Sequence, residues 1–262
     1  HRDGGRGRAA PRVAGTDVTV PPRLRVVGPG RAGGAFALAL GRVGWEVAEP
    51  VRRGDDPSGA AAGVDLVLIA TPDASVGATA AAVAPVPTAV VAHCSGSLGL
   101  DVLAHPRVGA VHPLVALPTA ALGAERLAAG AWFAVAGDPI MQRLVADLGG
   151  RWFTVADEHR AAYHAAAVVA SNHLVALMGQ VERIAAGIGV PGRAYLDLAR
   201  GTLDNVAELG SREALTGPVA RGDWATVSRH LAAIDPSEHN AYRALAAAAR
   251  RLVDGSGLPA DL

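Results

Sequence analysis

Lysine is missing altogether from the 262 residues. Every permanent positive charge is therefore an arginine, and any mechanism that needs a side-chain ammonium is excluded. Cys94 is the single cysteine, so no internal disulfide can form and a reducing, cytoplasmic compartment is expected. A net charge is also missing, with 24 basic residues against 24 acidic ones. That balance argues against a general binder of nucleic acid or of membrane surfaces. No run of about 18 consecutive apolar residues occurs, and no membrane span is expected. No set of cysteines and histidines has metal-ligand spacing, so no metal is expected. What remains is a chain half of whose residues are hydrophobic, long enough for one large domain or two modest ones with a real core. Residues 1–22 are rich in Arg, Gly and Pro, lack periodicity and lack the apolar stretch of a signal peptide. They read as a disordered leader.

The stretch around which the chain is organised is Leu24-Arg-Val-Val-Gly28-Pro-Gly30-Arg-Ala-Gly33. An apolar run leads into glycines at the spacing GxGxxG, and a helical pattern follows. This order suits a dinucleotide: Gly28 allows a tight turn, Gly30 lets the backbone approach a pyrophosphate, and Gly33 lets the helix pack close to the strand. Pro29, Arg31 and Ala32 complete the loop. The phosphates would sit at the helix N-terminus, where free N–H groups and the dipole favour negative charge.

Further apolar runs recur between helical patterns at Trp45–Val51, Asp65–Ala70, Thr88–Ala92, Val108–Val111, Trp132–Ala136 and Trp152–Val155. Strands alternating with helices predict an α/β fold with a doubly wound, mostly parallel sheet. The character changes at Ala156-Asp157. One long alanine-rich helical pattern runs from there to Ile188, and helical segments follow at about 191–209, 211–220, 223–234 and 236–253. The expected organisation is thus a leader over 1–22, a dinucleotide-binding domain over 23–156 and an all-helical domain over 157–262.

Ligands of such sheets bind beyond the carboxyl ends of the strands. An NAD site usually places an acid about 20 residues after the glycines, at the end of the second strand. Val51 falls there, with Arg52 and Arg53 next, and two guanidiniums suit a 2′-phosphate. NADP is therefore favoured over NAD. Three strand ends carry polar groups: Thr71-Pro72-Asp73, His93-Cys94-Ser95-Gly96-Ser97, and His112-Pro113. Ser95 and Ser97 could bond the nicotinamide or the substrate, or cap the next helix. His112 is a candidate acid/base, because an imidazole titrates near neutral pH, or else a buried structural histidine. On the long helix, His164, Ser171 and Asn172 lie near one face at α-helical spacing. Either they meet a ligand or they form a buried polar network. Farther on, Thr216 could face a substrate carboxylate and Arg221 could pair with it, while Asp223 suits a helix cap.

These motifs together resemble one family, over about residues 24–255. It comprises two-domain Rossmann-like proteins with a helical C-terminal domain of unknown function, related to ketopantoate reductase. The resemblance rests on Gly28-Pro-Gly-Arg-Ala-Gly33, Ala70-Thr-Pro-Asp73, His93-Cys-Ser-Gly96, Val111-His-Pro113, Tyr163-His-Ala-Ala-Ala167 with Ser171-Asn172, and Leu215-Thr-Gly-Pro218 with Arg221-Gly-Asp223. It implies an NADPH-dependent oxidoreductase acting on a small 2-oxo acid such as ketopantoate. Reduction of an imine or another carbonyl, or NADP binding without turnover, are the alternatives. Common ketopantoate reductases carry a catalytic lysine with an asparagine eight residues later. His164 and Asn172 meet that spacing here, which makes His164 the expected proton donor and Asn172 the residue that orients substrate. His112 is similar to the His-Pro segment of prephenate dehydrogenases. The long helix recurs in related dehydrogenases that dimerise through it, so a homodimer is expected.

Overall fold

The computed structural model describes residues 20–259. Most of the expected leader lies outside the described residues. The chain divides into two compact units that part between Ala167 and Val168. The first is built on seven strands: β1 (Arg23–Val27), β2 (Glu46–Val47), β3 (Leu66–Ile69), β4 (Val90–His93), β5 (Val108–Pro113), β6 (Trp132–Gly137) and β7 (Arg151–Thr154). They form one sheet in the order β2-β1-β3-β4-β5-β6-β7, parallel throughout except for the antiparallel β5–β6 pair. Helices α1 (Arg31–Arg42), α2 (Asp73–Ala82), α3 (Ala120–Leu127) and α4 (Ile140–Asp147) cover it.

The burial pattern explains why β3 and β4 read as unbroken apolar runs. Every residue of both strands is buried. Leu66 and Leu68 pack under α1, α3 and α4 on one face, while Val67 and Ile69 pack under α2 on the other. A strand covered on both faces has no solvent side to carry polar residues. Full burial of each such side chain stabilises the fold by about 1.5–3 kcal/mol. The chain runs from β1 to β2 on one side and then crosses to β3 on the other. The crevice that binds ligands in this topology therefore opens at the carboxyl ends of β1 and β3.

Three elements differ from expectation. The second strand shrinks from Trp45–Val51 to Glu46–Val47, because Pro50 has no N–H to give a ladder. Val51 then returns as a single bridge to Val27, and Gly28 N–H donates to Val51 O at 2.9 Å. Helix α3 has no counterpart in the sequence reading. Thr119 caps it, its hydroxyl accepting from Leu122 N–H at 3.2 Å. The segment expected as a helix over 211–220 is helical only at α8 (Pro218–Arg221). Gly217, at φ +95°, precedes the proline that starts it.

The expected long helix is also interrupted. It comprises a 3₁₀ turn (Asp157–His159), α5 (Arg160–Val168), a π turn (Val169–His173) and α6 (Leu174–Gly187). The division into units falls inside α5 rather than at 156/157. The reason is local: Arg160 is buried against the first unit, and Tyr163 bonds to β5. Within Asp157–Gly187 an 18-residue window has a mean hydropathy of 1.3, enough by length and composition only to cross a membrane. Abundant alanine raises the average across the polar interruptions at His164 and Ser171–His173. The second unit continues through α7 (Arg193–Leu209), α8, α9 (Trp224–Ala233) and α10 (His239–Asp254). Its core gathers Val219, Val227, Leu231 and Ala246.

Candidate active site

The glycine loop, the segment Val51–Asp55 and the Ala70–Pro72 turn line a cavity of about 660 Å³ at the switch point. The three glycines do three separate jobs. Gly28 has φ +87°, a conformation that disfavours other residues, and a Cβ there would lie 3.1 Å from Ala70 O. A Cβ on Gly33 would press into the Gly28 carbonyl oxygen and stand 2.7 Å from Val26 Cγ1, so α1 could not lie this close to β1. Gly30 is different. Its backbone is extended at φ −77°, and nothing lies within 4 Å of where its Cβ would be. The protein itself makes no demand for glycine at 30, and the open space belongs to the cavity. Gly30 is also the N-cap of α1, with no side-chain cap and no acid in the first turn. The free N–H groups are left for an anion.

Of the other residues expected at the cofactor, Pro29, Arg52, Arg53, Thr71 and Pro72 line this cavity. Arg31 and Ala32 sit in the first turn of α1 and do not line it. Arg52 leans on Glu49 at 3.5 Å, and both side chains are exposed. The Thr71 hydroxyl oxygen is buried and has no partner among the described residues. An orphaned polar atom of this kind costs about 1–3 kcal/mol unless a ligand satisfies it.

Ser95 and Ser97 do not line the cavity. Both hydroxyls donate to the same Asp73 carboxylate oxygen, at 2.8 and 2.6 Å, which ties the β4 loop to the start of α2. Ser95 Oγ also accepts from the N–H groups of Ser97 and Leu98, each at 3.2 Å. These bonds fold the loop and cap no helix: the next helical turn, Leu100–Val102, starts at Gly99 with no side-chain cap. His93 is fully buried. Its Nδ1 accepts from Ser95 N–H at 3.2 Å and its Nε2–H donates to Gly99 O at 3.1 Å, while burial pushes its pKa down. Burial pushes the Cys94 thiol up to about 12, so it is inert.

At the end of β5, His112 Nδ1 lies 2.6 Å from the Tyr163 hydroxyl oxygen, and the two rings meet edge to face at 5.5 Å. The His164 ring stands against His112 at 5.9 Å. Gly96 closes the group. A Cβ there would lie 2.9 Å from Cε1 and Nε2 of His112 and from Cδ2 of His164. The bare backbone of the β4 loop thus admits both imidazoles. Burial first, and then the neighbouring His164, push His112 down to about 4. Burial raises Tyr163 to about 12, against the opposing pull of Arg160. At neutral pH the pair is therefore an uncharged imidazole and an intact phenol. From sequence, Tyr163 ranks only behind His164 and His112 as a proton source, and Gly96 and Asp73 carry no assigned role. Only the small-residue run Ser95-Gly96-Ser97 after a buried strand hinted at a close approach.

Asn172, Thr216 and Arg221 belong to the second unit, and all three are exposed. Asn172 lies in the π turn, so faces counted at α-helical spacing across Val169–His173 do not hold there. Asp223 caps α9, its carboxylate accepting from Thr226 N–H at 3.1 Å.

Residues 133–249 match the family described as Domain of unknown function (DUF2520). No curated protein matches the chain. Among solved structures, a Bacteroides fragilis protein described provisionally as an NADP oxidoreductase is similar at 19% identity and a TM-score of 0.74. It covers 88% of this chain and 98% of its own. Protein TM1727 from Thermotoga maritima is similar at 25% identity and a TM-score of 0.68, with the same two coverages. A reductive aminase from Aspergillus terreus, in complex with NADPH and ethyl levulinate, is similar at 15% identity and a TM-score of 0.66. It covers 91% of this chain and 97% of its own. At such identities the likeness is one of fold: a Rossmann sheet followed by helices.

Proposed function

We propose that this chain is an NADP-dependent oxidoreductase that reduces the carbonyl of a small 2-oxo acid, with ketopantoate the first compound to test. One observation carries the reading. The open space at Gly30, the uncapped start of α1, the orphaned Thr71 hydroxyl and the two guanidiniums of Arg52 and Arg53 all belong to one cavity. A dinucleotide 2′-phosphate fits that set: backbone N–H groups for the pyrophosphate, a hydroxyl for a ribose or phosphate oxygen, and positive charge for the extra phosphate. The Rossmann neighbours described with NADP or NADPH support the same cofactor.

Such a cofactor would supply a hydride at the strand ends. The residues of the first unit then have to orient the carbonyl and deliver a proton to its oxygen. His112, Tyr163 and His164 are the groups gathered where that proton is needed. Asn172, Thr216 and Arg221 are proposed as substrate ligands on their chemistry alone: an amide for a carbonyl, and a hydroxyl and a guanidinium for a carboxylate.

Fluorescence titration with NADPH and NADH tests the first half of the reading. Tighter binding of NADPH is expected, and a folded protein that binds neither ends it. Loss of NADPH absorbance with a panel of 2-oxo acids, ketopantoate among them, tests the second half. Turnover only with a ketone and an amine together would move the reading to imine reduction. Binding without any turnover would leave an NADP-responsive sensor.

A further inference from the structure

Reducing a carbonyl consumes a proton as well as a hydride, and the proton must come from a group held within hydrogen-bond reach. Few groups at the ends of β4 and β5 can give one. Both nitrogens of the fully buried His93 are bonded. The Ser95 and Ser97 hydroxyls both donate to Asp73. The Cys94 thiol is held protonated by burial. Tyr163 and His164 are left, both half-buried. Among the described residues His164 makes a ring contact and no hydrogen bond, whereas Tyr163 is bonded to a second group that can carry a proton.

We propose that the Tyr163 hydroxyl is the proton donor of the reaction, and that His112 is the positioning residue that holds Tyr163 and resupplies it. In this arrangement His112 Nδ1–H donates to Tyr163 Oη across the 2.6 Å contact, which leaves the phenolic hydrogen free for the substrate. The step balances. With a hydride that a bound dihydronicotinamide would supply to the carbonyl carbon, the π pair moves to oxygen. That oxygen takes the proton of Tyr163. The phenolate takes the Nδ1 proton of His112 while Nε2 gains one from solvent; the ring stays neutral, and exchange of that proton through solvent from Nε2 back to Nδ1 restores the starting tautomer. An alkoxide is more basic than a phenolate, so the first transfer runs downhill even from a phenol that burial has weakened as an acid. Gly96 matters because any side chain there would push His112 off Tyr163.

The assignment rests on the reductase reading above, and two measurements test it. The first needs no substrate. Nitrogen NMR of the histidine-labelled full chain at neutral pH, with the His112 signals identified by their loss in His112→Gln, should show a neutral ring protonated at Nδ1. A ring protonated at Nε2 would take its hydrogen bond from the phenolic hydrogen, and would overturn the assignment. The second compares Tyr163→Phe with the wild type. NADPH affinity should stay within about twofold, while ketopantoate reduction falls by about a hundredfold or more, the usual size of general acid catalysis. A Tyr163→Phe variant as fast as an active wild type overturns the donor and leaves the reductase reading standing. A wild type that consumes NADPH with neither ketopantoate nor a ketone–amine pair overturns both.

Discussion

Gly30 and Gly33 are three residues apart in one motif, yet the structure predicts opposite outcomes when each becomes alanine. A Cβ on Gly33 has nowhere to go: it meets the Gly28 carbonyl oxygen, Val26 Cγ1 at 2.7 Å and Ala70 Cβ at 3.0 Å. Two of those three atoms belong to the backbone or to a short rigid side chain, so α1 must lift from the sheet. Overpacking of that kind costs about 1–3 kcal/mol. For a chain of this size it should lower the melting temperature by about 2–12 °C. A Cβ on Gly30 meets nothing within 4 Å, at a φ of −77° that alanine adopts freely. Loss of the preferred glycine at the N-cap is offset by about 0.4–1 kcal/mol from the stiffer unfolded chain. Stability should therefore barely move. NADPH binding should move, because the added methyl occupies the space into which the pyrophosphate has to come. Losing one charge-assisted hydrogen bond there costs about 1.5–3 kcal/mol, or roughly 10- to 150-fold in affinity. Thermal melts and NADPH titrations of the two variants side by side make the test. If Gly30→Ala binds NADPH as the wild type does while melting at the same temperature, the cavity at the glycine loop is not the pyrophosphate site.

Four further outcomes are expected. Arg52→Ala combined with Arg53→Ala should weaken NADPH by about 1–3 kcal/mol and leave NADH nearly unchanged, since the lost bonds are to the 2′-phosphate. Because Arg52 already leans on Glu49, Arg53→Ala should account for the larger share, as single-variant titrations will read. Stability should depend on pH through His112, whose pKa of about 4 in the fold lies below its ordinary value. The unfolded chain takes up the proton first, so the stability is whole above about pH 6.5 and falls away toward pH 4. The loss reaches about 3 kcal/mol, and melts of wild type against His112→Gln measure it. Tyr163→Phe and His164→Ala, assayed together, rank the two proton donors: the Tyr163 assignment requires the larger rate loss in Tyr163→Phe, and the reverse order would return the role to His164. Finally, Val175, Ile188, Leu198, Leu203 and Leu209 of the second unit are all more than half exposed. Such surface seeks a partner, and light scattering at micromolar concentration should find a homodimer rather than a monomer.

Much of this architecture was written in the one-dimensional pattern. Doubly covered strands are apolar wherever a side chain has no polar partner, so Leu66–Ile69 and Val90–Ala92 are legible as strands. The glycines at 28 and 33 carried their geometry with them, because a positive φ and a close helix–strand contact each admit little else. The arginines after Val51 were legible for a similar reason, since the end of the second strand lies a fixed distance along the chain from the first turn. What the sequence could not say is which side chains meet across that distance. His112 and Tyr163 are 51 residues apart, and their bond exists because β5 ends where the first turn of α5 passes. Whether Ser95 and Ser97 face a ligand or Asp73 depends on how the β4 loop lies against α2, which no local periodicity records. Even the helix face that seemed to join His164 to Asn172 was a count made at α-helical spacing, and a π turn alters it. Local pattern follows from what each residue must bury or bend. The pairing of polar groups follows from packing over the whole sheet, and only the tertiary structure decides it.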